Sequence, residues 1–324
     1  MKLSFIELDA RARAFALLDG GTGGELCGPF DRIESPWLEP QGVVPQSDDG
    51  VVVVRGKLDG RSAVVIGIEQ AFQGGGIGEV SGVKIATALS LAARDSRAGV
   101  PTAAVLLLET GGVRLQEANL GLATVAEVCS ALLELRALQP VVGVIAGMLG
   151  CFGGMSIAAG LCTELIMTRE GRLGLDGPQV IESEAGVAEF DASDHTMIWS
   201  IDGGTQRTRT GLADVLVADD VAAIRSAVIE AVWTTLPAAS PPRCDGATAS
   251  PCSANSARPF SSKPHRATSW PEPPRPPTPV PVSSPSPTPA SPTRRPSRGA
   301  CFDRDQSGRS TRLRSERLET PSLA

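Results

Sequence analysis

The chain has 324 residues and a net charge of −6, but its composition is not uniform. Residues 1–235 carry 17 Lys and Arg against 30 Asp and Glu, while residues 236–324 carry 13 against 6 and hold 19 of the 26 prolines. The acidic first part excludes a nucleic-acid-binding face, which needs clustered basic residues. The second part has no apolar period and cannot bury enough surface to offset its chain entropy. We therefore predict a folded domain over 1–235 and a disordered tail over 236–324.

The first predicted element is a short helix within residues 1–18. Phe5, Leu8, Ala12 and Phe15 recur at helical spacing, which is the basis of this prediction.

An irregular arm and a β-hairpin follow this helix. Residues 19–50 are rich in Gly, Pro and Asp, have no period, and are predicted to form a structured but irregular arm. Residues 51–57 and 62–68 are rich in β-branched residues. The Asp59-Gly60 pair between them is a strong hairpin signal.

A unit of strand, glycine turn and helix comes next and is repeated. The pattern predicts an α/β fold with crossover connections, in which ligands bind at the loops after the strands. The predicted units are the glycine loop 72–78 with helix 79–97, strand 103–108 with Gly111-Gly112 and helix 115–138, and strand 141–146 with Gly153-Gly154 and a helix to residue 161.

The remaining part of the predicted domain consists of short elements. Asp219 is predicted to cap the last helix. The predicted strands are 164–168 and 172–175, and the predicted helices are 178–183, 191–201, 205–211 and 220–233.

No charged residue lies between Arg136 and Glu164, yet the stretch is not predicted to span a membrane. Pro140 and six glycines interrupt it, so a strand, a turn and a short helix fit better than one apolar helix. The seven cysteines form no CxxC pair, which leaves a zinc ribbon unsupported. An odd cysteine count without a signal peptide predicts free thiols in the cytoplasm.

Side-chain chemistry is sparse in this chain. His195 is one of only two histidines, follows Asp194 in a predicted helix and is expected to be structural, so a Ser-His-Asp triad is unsupported. The loop 74–78 fits neither nucleotide-binding glycine pattern, and no cluster has the spacing of metal ligands. The remaining candidates for chemistry are backbone N–H groups.

The Gly111-Gly112 pair is where that backbone chemistry is expected. A buried strand is predicted to end there and a helix to begin at once, so exposed N–H groups at the helix start could hold a negative oxygen. The sequence therefore predicts an oxyanion hole, although each glycine pair could also be an ordinary tight turn.

Six motifs in order resemble a known family. Together they are similar to the carboxyltransferase branch of the crotonase/ClpP-like fold, built of repeated β-β-α units, and within it to the beta subunits of biotin-independent malonate decarboxylase. The glycine loop departs from that family's usual Gly-Gly-Ser-Met-Gly, because Gly76 and Ile77 replace the serine and methionine. The motifs are GPFDRIE at 28–34, AFQGGGIGEVSGVKI at 71–85, TGGVRLQE at 110–117, VVGVIAGMLGCFGGM at 141–155, GRLGLDGPQVIE at 171–182 and AEFDASD at 188–194.

The resemblance implies roles for particular residues. Gly111 and Gly112 would supply the oxyanion donors, and Gly153 and Gly154 the opposing wall of the site. Arg114 could orient a carboxylate or form a structural ion pair with Glu117, and we leave both open. The residues that the resemblance assigns to substrate binding are Gly75, Gly76, Arg114, Gln116 and Glu117.

The resemblance also implies partners. A gamma subunit would complete the active site, an acyl carrier protein would deliver malonyl on a phosphoribosyl-dephospho-coenzyme A arm, and an alpha subunit would exchange acetyl for malonyl. The chain itself would bind no cofactor. Two alternatives stay open, a biotin-dependent carboxyltransferase subunit and a non-catalytic scaffold. The tail could be an unstructured extension, a proline-rich ligand or an out-of-frame reading of the gene.

Overall fold

The computed structural model describes residues 2–44 and 50–234. Within these residues seven strands form one sheet, in which the spatial order of the strands is their order in the chain. The strands are β1 (Gly24–Leu26), β2 (Val51–Leu58), β3 (Arg61–Ile68), β4 (Ala103–Leu107), β5 (Val141–Ile145), β6 (Glu164–Thr168) and β7 (Val215–Val217).

The helices connect or flank these strands. Among the described residues they are α1 (Ala10–Leu17), α2 (Glu79–Arg97), α3 (Asn119–Arg136), α4 (Gly154–Leu161), α5 (Pro178–Ala185), α6 (His195–Asp202), α7 (Gly204–Arg209) and α8 (Val221–Thr234). Short 3-10 turns lie at Pro29–Asp31, Glu39–Gln41, Gln73–Gly75 and Leu115–Glu117.

The pairing between neighbouring strands changes once across the sheet, from antiparallel to parallel. β1, β2 and β3 pair antiparallel, while β3 to β7 are all parallel. The predicted hairpin is confirmed, because Leu58 pairs with Arg61 and both Asp59 and Gly60 have the positive φ that a two-residue turn of this type needs. β4 and β5 are buried at every position, as expected for parallel strands covered on both faces.

Alternate residues of β2 to β6 enter two separate cores. Ile66 and Leu106 pack with α2, α3 and α4 on one face of the sheet, whereas Val65 and Leu107 pack with α1 and α8 on the other. The period of two along a strand is what divides the apolar residues between these layers. The predicted strand, turn and helix units are therefore present, with helices on both faces.

A second, much shorter set of β contacts lies beyond the ends of the main strands. Single parallel bridges join Ile77 to Val113, Thr110 to Cys151, and Cys151 to Leu173. β3, β4, β5 and β6 are thus each followed by a short second β segment before the chain continues. The predicted strand at 172–175 is reduced to isolated bridges of this kind.

The N-terminal helix differs from the prediction. It begins only at Ala10, where the Asp9 side chain accepts a hydrogen bond from the Ala12 N–H. Its buried face is Ala10, Arg13, Ala14 and Leu17, and Phe15 is 40% exposed. The predicted helical spacing of Phe5, Leu8, Ala12 and Phe15 was wrong, because Phe5 and Leu8 precede the helix and so do not share its period.

Two further boundaries were also predicted wrongly. α3 begins at Asn119 rather than at Leu115, because Ala118 has a positive φ that separates a 3-10 turn from the helix. The cap of α8 is Asp220, whose side chain accepts from the Ala223 N–H. Asp219 instead accepts the backbone N–H groups of Phe5 and Ile6, so it anchors the N-terminal segment.

In its described residues, 19–44 and 50, the arm is structured and mostly irregular as predicted, except that it contains β1. Through residue 234 no helix among the described residues has the length and hydropathy needed to cross a bilayer. The predicted tail 236–324 lies outside the described residues.

Candidate active site at the glycine turns

Backbone hydrogen bonds link the loops that follow β3, β4, β5 and β6. The Ile77 N–H donates to the Gly112 carbonyl (2.9 Å), and the Phe152 N–H donates to the Thr110 carbonyl (2.9 Å). The Gly153 N–H donates to the Leu175 carbonyl (2.7 Å). Segments far apart in sequence therefore meet at one end of the parallel strands, where ligands bind in sheets of this kind.

The two predicted glycine pairs meet at Gly112 and Gly153. A Cβ on Gly153 would lie 2.8 Å from the Gly112 Cα, closer than real Cβ atoms come to backbone. Gly112 has φ 118°, and Gly153 has φ 64° and ψ −149°, conformations that side-chain-bearing residues rarely adopt. Both glycines are thus needed for the contact between the turns, which goes beyond what a single tight turn requires.

The donor amides at these turns are not equivalent. The Gly111 N–H donates to the Gly74 carbonyl (2.9 Å), so that donor is already engaged. The Gly112 N–H donates to the Thr110 hydroxyl at a longer 3.1 Å. Gly154 is the first residue of α4, where an amide has no carbonyl one turn earlier to bond. Gly112 and Gly154 are therefore the amides best placed to receive a new acceptor.

The predicted substrate-binding glycines of the first loop are buried. A Cβ on Gly75 would lie 2.0 Å from the Glu109 carbonyl oxygen, and a Cβ on Gly76 would lie 3.1 Å from the Gln73 oxygen. Ile77 is fully buried in the core of α2 and α3. This loop packs against the Gly111-Gly112 turn. Substrate binding by Gly75 and Gly76 stays a prediction.

Arg114 and Glu117 form a buried ion pair. The Arg114 Nη1 lies 3.0 Å from a Glu117 oxygen, and both side chains are at most 1% exposed. The other Glu117 oxygen accepts from the Ser35 hydroxyl, and Arg114 also donates to the Gly76 carbonyl (2.8 Å). Its guanidinium stacks on Phe72, 4.9 Å from the ring centroid. Of the two roles left open, this geometry favours the structural ion pair.

Gln116 lies on the surface and its predicted substrate contact stays a prediction. Its backbone carbonyl accepts from the Gln41 side chain (2.7 Å), which holds the arm against this 3-10 turn. The Trp37 indole donates to Glu79 (2.9 Å) at a second point of the arm. The arm is therefore tied both to the segment that follows Gly111-Gly112 and to the start of α2.

Glu109 is a buried carboxyl that the sequence did not single out as functional. It is 1% exposed, accepts the Gly147 N–H and lies 3.7 Å from the Arg13 guanidinium. Burial raises its pKa to about 7, against the opposing charge of Arg13 and the backbone N–H groups around it. Its Oε2 atom has no hydrogen-bond partner.

Two further ionisable groups face Glu109 from the neighbouring loops. Cys151 is fully buried, and burial together with the Glu109 charge raises its thiol pKa. Arg172 stacks between Phe152 and Trp199 and donates to the Met148 and Leu149 carbonyls, while partial burial lowers its pKa. The sequence showed that Glu109 follows a buried strand, but its charged and polar neighbours come from three other segments: α1, the 147–151 loop and the segment of Arg172.

An apolar cavity of about 470 Å³ lies elsewhere, between β1, the arm and α2. None of the predicted site glycines lines it. His195 packs edge-on against Trp199 at the start of α6, as a structural histidine would. In residues 2–44 and 50–234 no group of three or more His, Cys, Asp or Glu is arranged to hold a metal ion.

The carboxyl transferase domain family matches residues 39–271. The chain belongs to this family. The predicted crotonase-like carboxyltransferase fold is thereby confirmed, and a transcarboxylase 12S structure has the same fold with 26% identity and a TM-score of 0.59, although the chain spans only 40% of it. The match runs past residue 235, so the boundary that we placed there stays a prediction.

Individual solved structures and sequences show which members of this family the chain is similar to. The chain is 63% identical to a chain of a Pseudomonas malonate decarboxylase hetero-tetramer in complex with malonate, with a TM-score of 0.71, covering 73% of this chain and 86% of that one. It is 42% identical over 232 residues to the malonyl-S-ACP:biotin-protein carboxyltransferase MADC of Malonomonas rubra, covering 68% of this chain and 73% of that protein. The predicted resemblance to malonate decarboxylase subunits is therefore confirmed.

Proposed function

We propose that this chain is the beta subunit of a biotin-independent malonate decarboxylase. With a gamma subunit it would convert malonyl-S-acyl carrier protein to acetyl-S-acyl carrier protein and CO₂. The malonyl group would arrive on the phosphoribosyl-dephospho-coenzyme A arm of the carrier, and an alpha subunit would reload that carrier. The proposal is supported by the 63% identity to a chain of the Pseudomonas enzyme.

The proposed chemistry needs backbone donors rather than a reactive side chain. When the bond between the carboxylate carbon and the methylene carbon breaks, its electron pair moves into the thioester and places negative charge on the carbonyl oxygen. Protonation of the methylene carbon then gives the acetyl thioester. Aligned N–H groups stabilise the enolate as its charge develops, and each such donor is worth about 10²–10³ in rate.

The observation on which the proposal depends most is the contact between Gly112 and Gly153. It brings the Gly112 N–H and the first amide of α4, that of Gly154, to the same end of the parallel strands. The positive end of the α4 dipole adds to this effect. We assign the donor role to Gly112 and Gly154, with Gly111 and Gly153 fixing the two turns.

A partner subunit is expected to cover these turns. The segments around these turns expose large apolar side chains, and such exposure is typical of a surface that a partner covers. They are Leu115 (83%), Leu122 (54%), Ile157 (57%) and Leu175 (60%). A related structure is described as a Pseudomonas MdcD-MdcE hetero-dimer, and the chain is 56% identical to one of its chains, with a TM-score of 0.61.

The test is CO₂ release from malonyl-loaded carrier by the chain co-purified with its neighbouring gene products. Gly112→Val should leave the complex assembled and lower the rate at least a hundredfold, because the branched side chain disfavours φ 118° and its Cβ would already lie 3.6 Å from the Gly153 Cα, so its methyl groups would press on the Gly153 turn. A folded, assembled Gly112→Val complex within about threefold of the wild-type rate would refute the assignment.

A second candidate is a biotin-dependent carboxyltransferase subunit. It is favoured by the 42% identity to a protein described as a malonyl-S-ACP:biotin-protein carboxyltransferase. Avidin separates the two proposals, because only transfer to biotin should be inhibited by it. Avidin-sensitive turnover by the purified complex would favour this candidate.

A further inference from the structure

The loop between β5 and α4 is connected to the end of β4 by one buried side chain. Glu109 follows β4 closely, and its Oε1 atom accepts the N–H of Gly147, which lies in that loop. The backbone on either side reinforces the link, since the Thr110 N–H donates to the Gly150 carbonyl (2.8 Å) and the Phe152 N–H donates to the Thr110 carbonyl. The loop then continues directly into Gly153.

Gly147 and Glu109 fit each other closely. The three atoms nearest to a Cβ on Gly147 would be Oε2, Cδ and Oε1 of Glu109, at 2.2 to 2.3 Å. Gly147 does not have a positive φ, so its backbone would accept a side chain if the space were free. The carboxyl of Glu109 therefore accounts for the need for glycine at this position.

Burying a carboxyl group costs free energy that an apolar side chain filling the same space would not. Its Oε2 atom has no hydrogen-bond partner, and its nearest cation, Arg13, also donates to the carbonyls of Phe5 and Ile6. Burial raises the Glu109 pKa to about 7, so the neutral acid is well populated near neutral pH. Either ionisation state can accept the Gly147 N–H through Oε1.

We propose that Glu109 is a positioning residue, which fixes the 147–150 loop through Gly147 and so holds the Gly153-Gly154 turn against Gly112. This inference rests on the proposed decarboxylase function for its activity readout. Glu109 contacts neither substrate nor reacting atoms in it. Without the carboxyl, the loop loses its side-chain anchor and the Gly154 donor loses its alignment, which lowers turnover more than substrate affinity.

The experiment is a double-mutant cycle in the assembled complex. Glu109→Ala should lower kcat at least tenfold with KM within about twofold, because the anchor is lost while none of the predicted substrate-binding residues is changed. Gly147→Ala should lower kcat similarly by displacing the carboxyl. The double variant should be no slower than the slower single variant, because the added methyl then occupies the vacated space. Glu109→Gln keeps the acceptor and should stay within about threefold of wild type.

Several outcomes would overturn the proposal. One is full activity of the Glu109→Ala complex. A second is a loss of kcat in Glu109→Gln as large as that in Glu109→Ala. A third is a loss of kcat in the double variant equal to the product of the two single losses. Hydrogen exchange in the 143–152 peptide of the same complexes gives a readout without catalysis. It should accelerate at least tenfold in Glu109→Ala and stay near wild type in Glu109→Gln, and equal exchange in both would refute the anchor. If wild type releases no CO₂, the proposed function fails, and exchange alone still decides the role of Glu109.

Discussion

Alanine at Gly153 is the sharpest perturbation of the candidate site. The new Cβ would lie 2.8 Å from the Gly112 Cα, so the two turns must separate by about 0.6 Å to reach van der Waals contact near 3.4 Å. The backbone at φ 64° and ψ −149° adds strain of about 1–3 kcal/mol, because such angles are almost restricted to glycine. Both effects act directly on the alignment of the Gly112 and Gly154 amides.

The expected result is a large loss of rate with a smaller loss of stability. Misalignment of one donor costs about 10²–10³ in rate. Strain of about 1–3 kcal/mol lowers the melting temperature by about 2–12 °C for a folded domain of this size. The assay is CO₂ release by the assembled complex, with assembly checked by gel filtration and stability by calorimetry.

Gly160 provides the matched control on the same helix. A Cβ there meets no atom within 4 Å, and the residue is an exposed position of α4. Gly160→Ala should therefore keep full activity and stabilise the fold by up to about 1 kcal/mol. If Gly153→Ala is folded, assembled and within threefold of wild type, the contact between the two turns has no part in catalysis.

Four further predictions concern stability, pH, partner and tail. Arg114→Met should lower the free energy of unfolding by about 3–5 kcal/mol, because it leaves Glu117 buried without its cation, while Arg97→Met at an exposed pair should change it by under about 1 kcal/mol. In urea titrations, a small loss for Arg114→Met with a large loss of activity would favour the substrate-orienting role. Because burial raises the folded-state pKa of Glu109 from 4.5 to about 7, the folded form binds this proton more tightly than the unfolded chain. The free energy of unfolding should therefore fall by about 3 kcal/mol as pH rises between those values, and Glu109→Gln should abolish that component in melts across the range. Titration with the gamma subunit should raise activity from near zero to a plateau, whereas full turnover by a monodisperse monomer would contradict a shared site. Limited proteolysis should leave a stable fragment ending between about residues 234 and 242, and protection as far as Arg294 would contradict the predicted domain boundary.

The sequence by itself determined the elements whose signals are local. The bounds of α2 follow from its period and from the glycines before and after it, and Asp59-Gly60 specified the hairpin turn. The resemblance added the family and the fold, because its motifs lie in the loops that distinguish this branch from other α/β proteins. Local chemistry was sufficient wherever neighbouring residues alone decide the conformation.

Tertiary structure decided everything that depends on contacts between distant segments. The buried face of α1 is set by the sheet beneath it, and short β7 is stabilised by its pairing with β6 rather than by its own three residues. The same holds for the site. The engagement of the Gly111 N–H by Gly74, the close approach of Gly153 to Gly112, and the anchoring of Gly147 by Glu109 each join separate loops. Such contacts produce no periodic pattern or motif spacing in the sequence, because their free-energy cost and gain arise only when the folded chain brings the loops together.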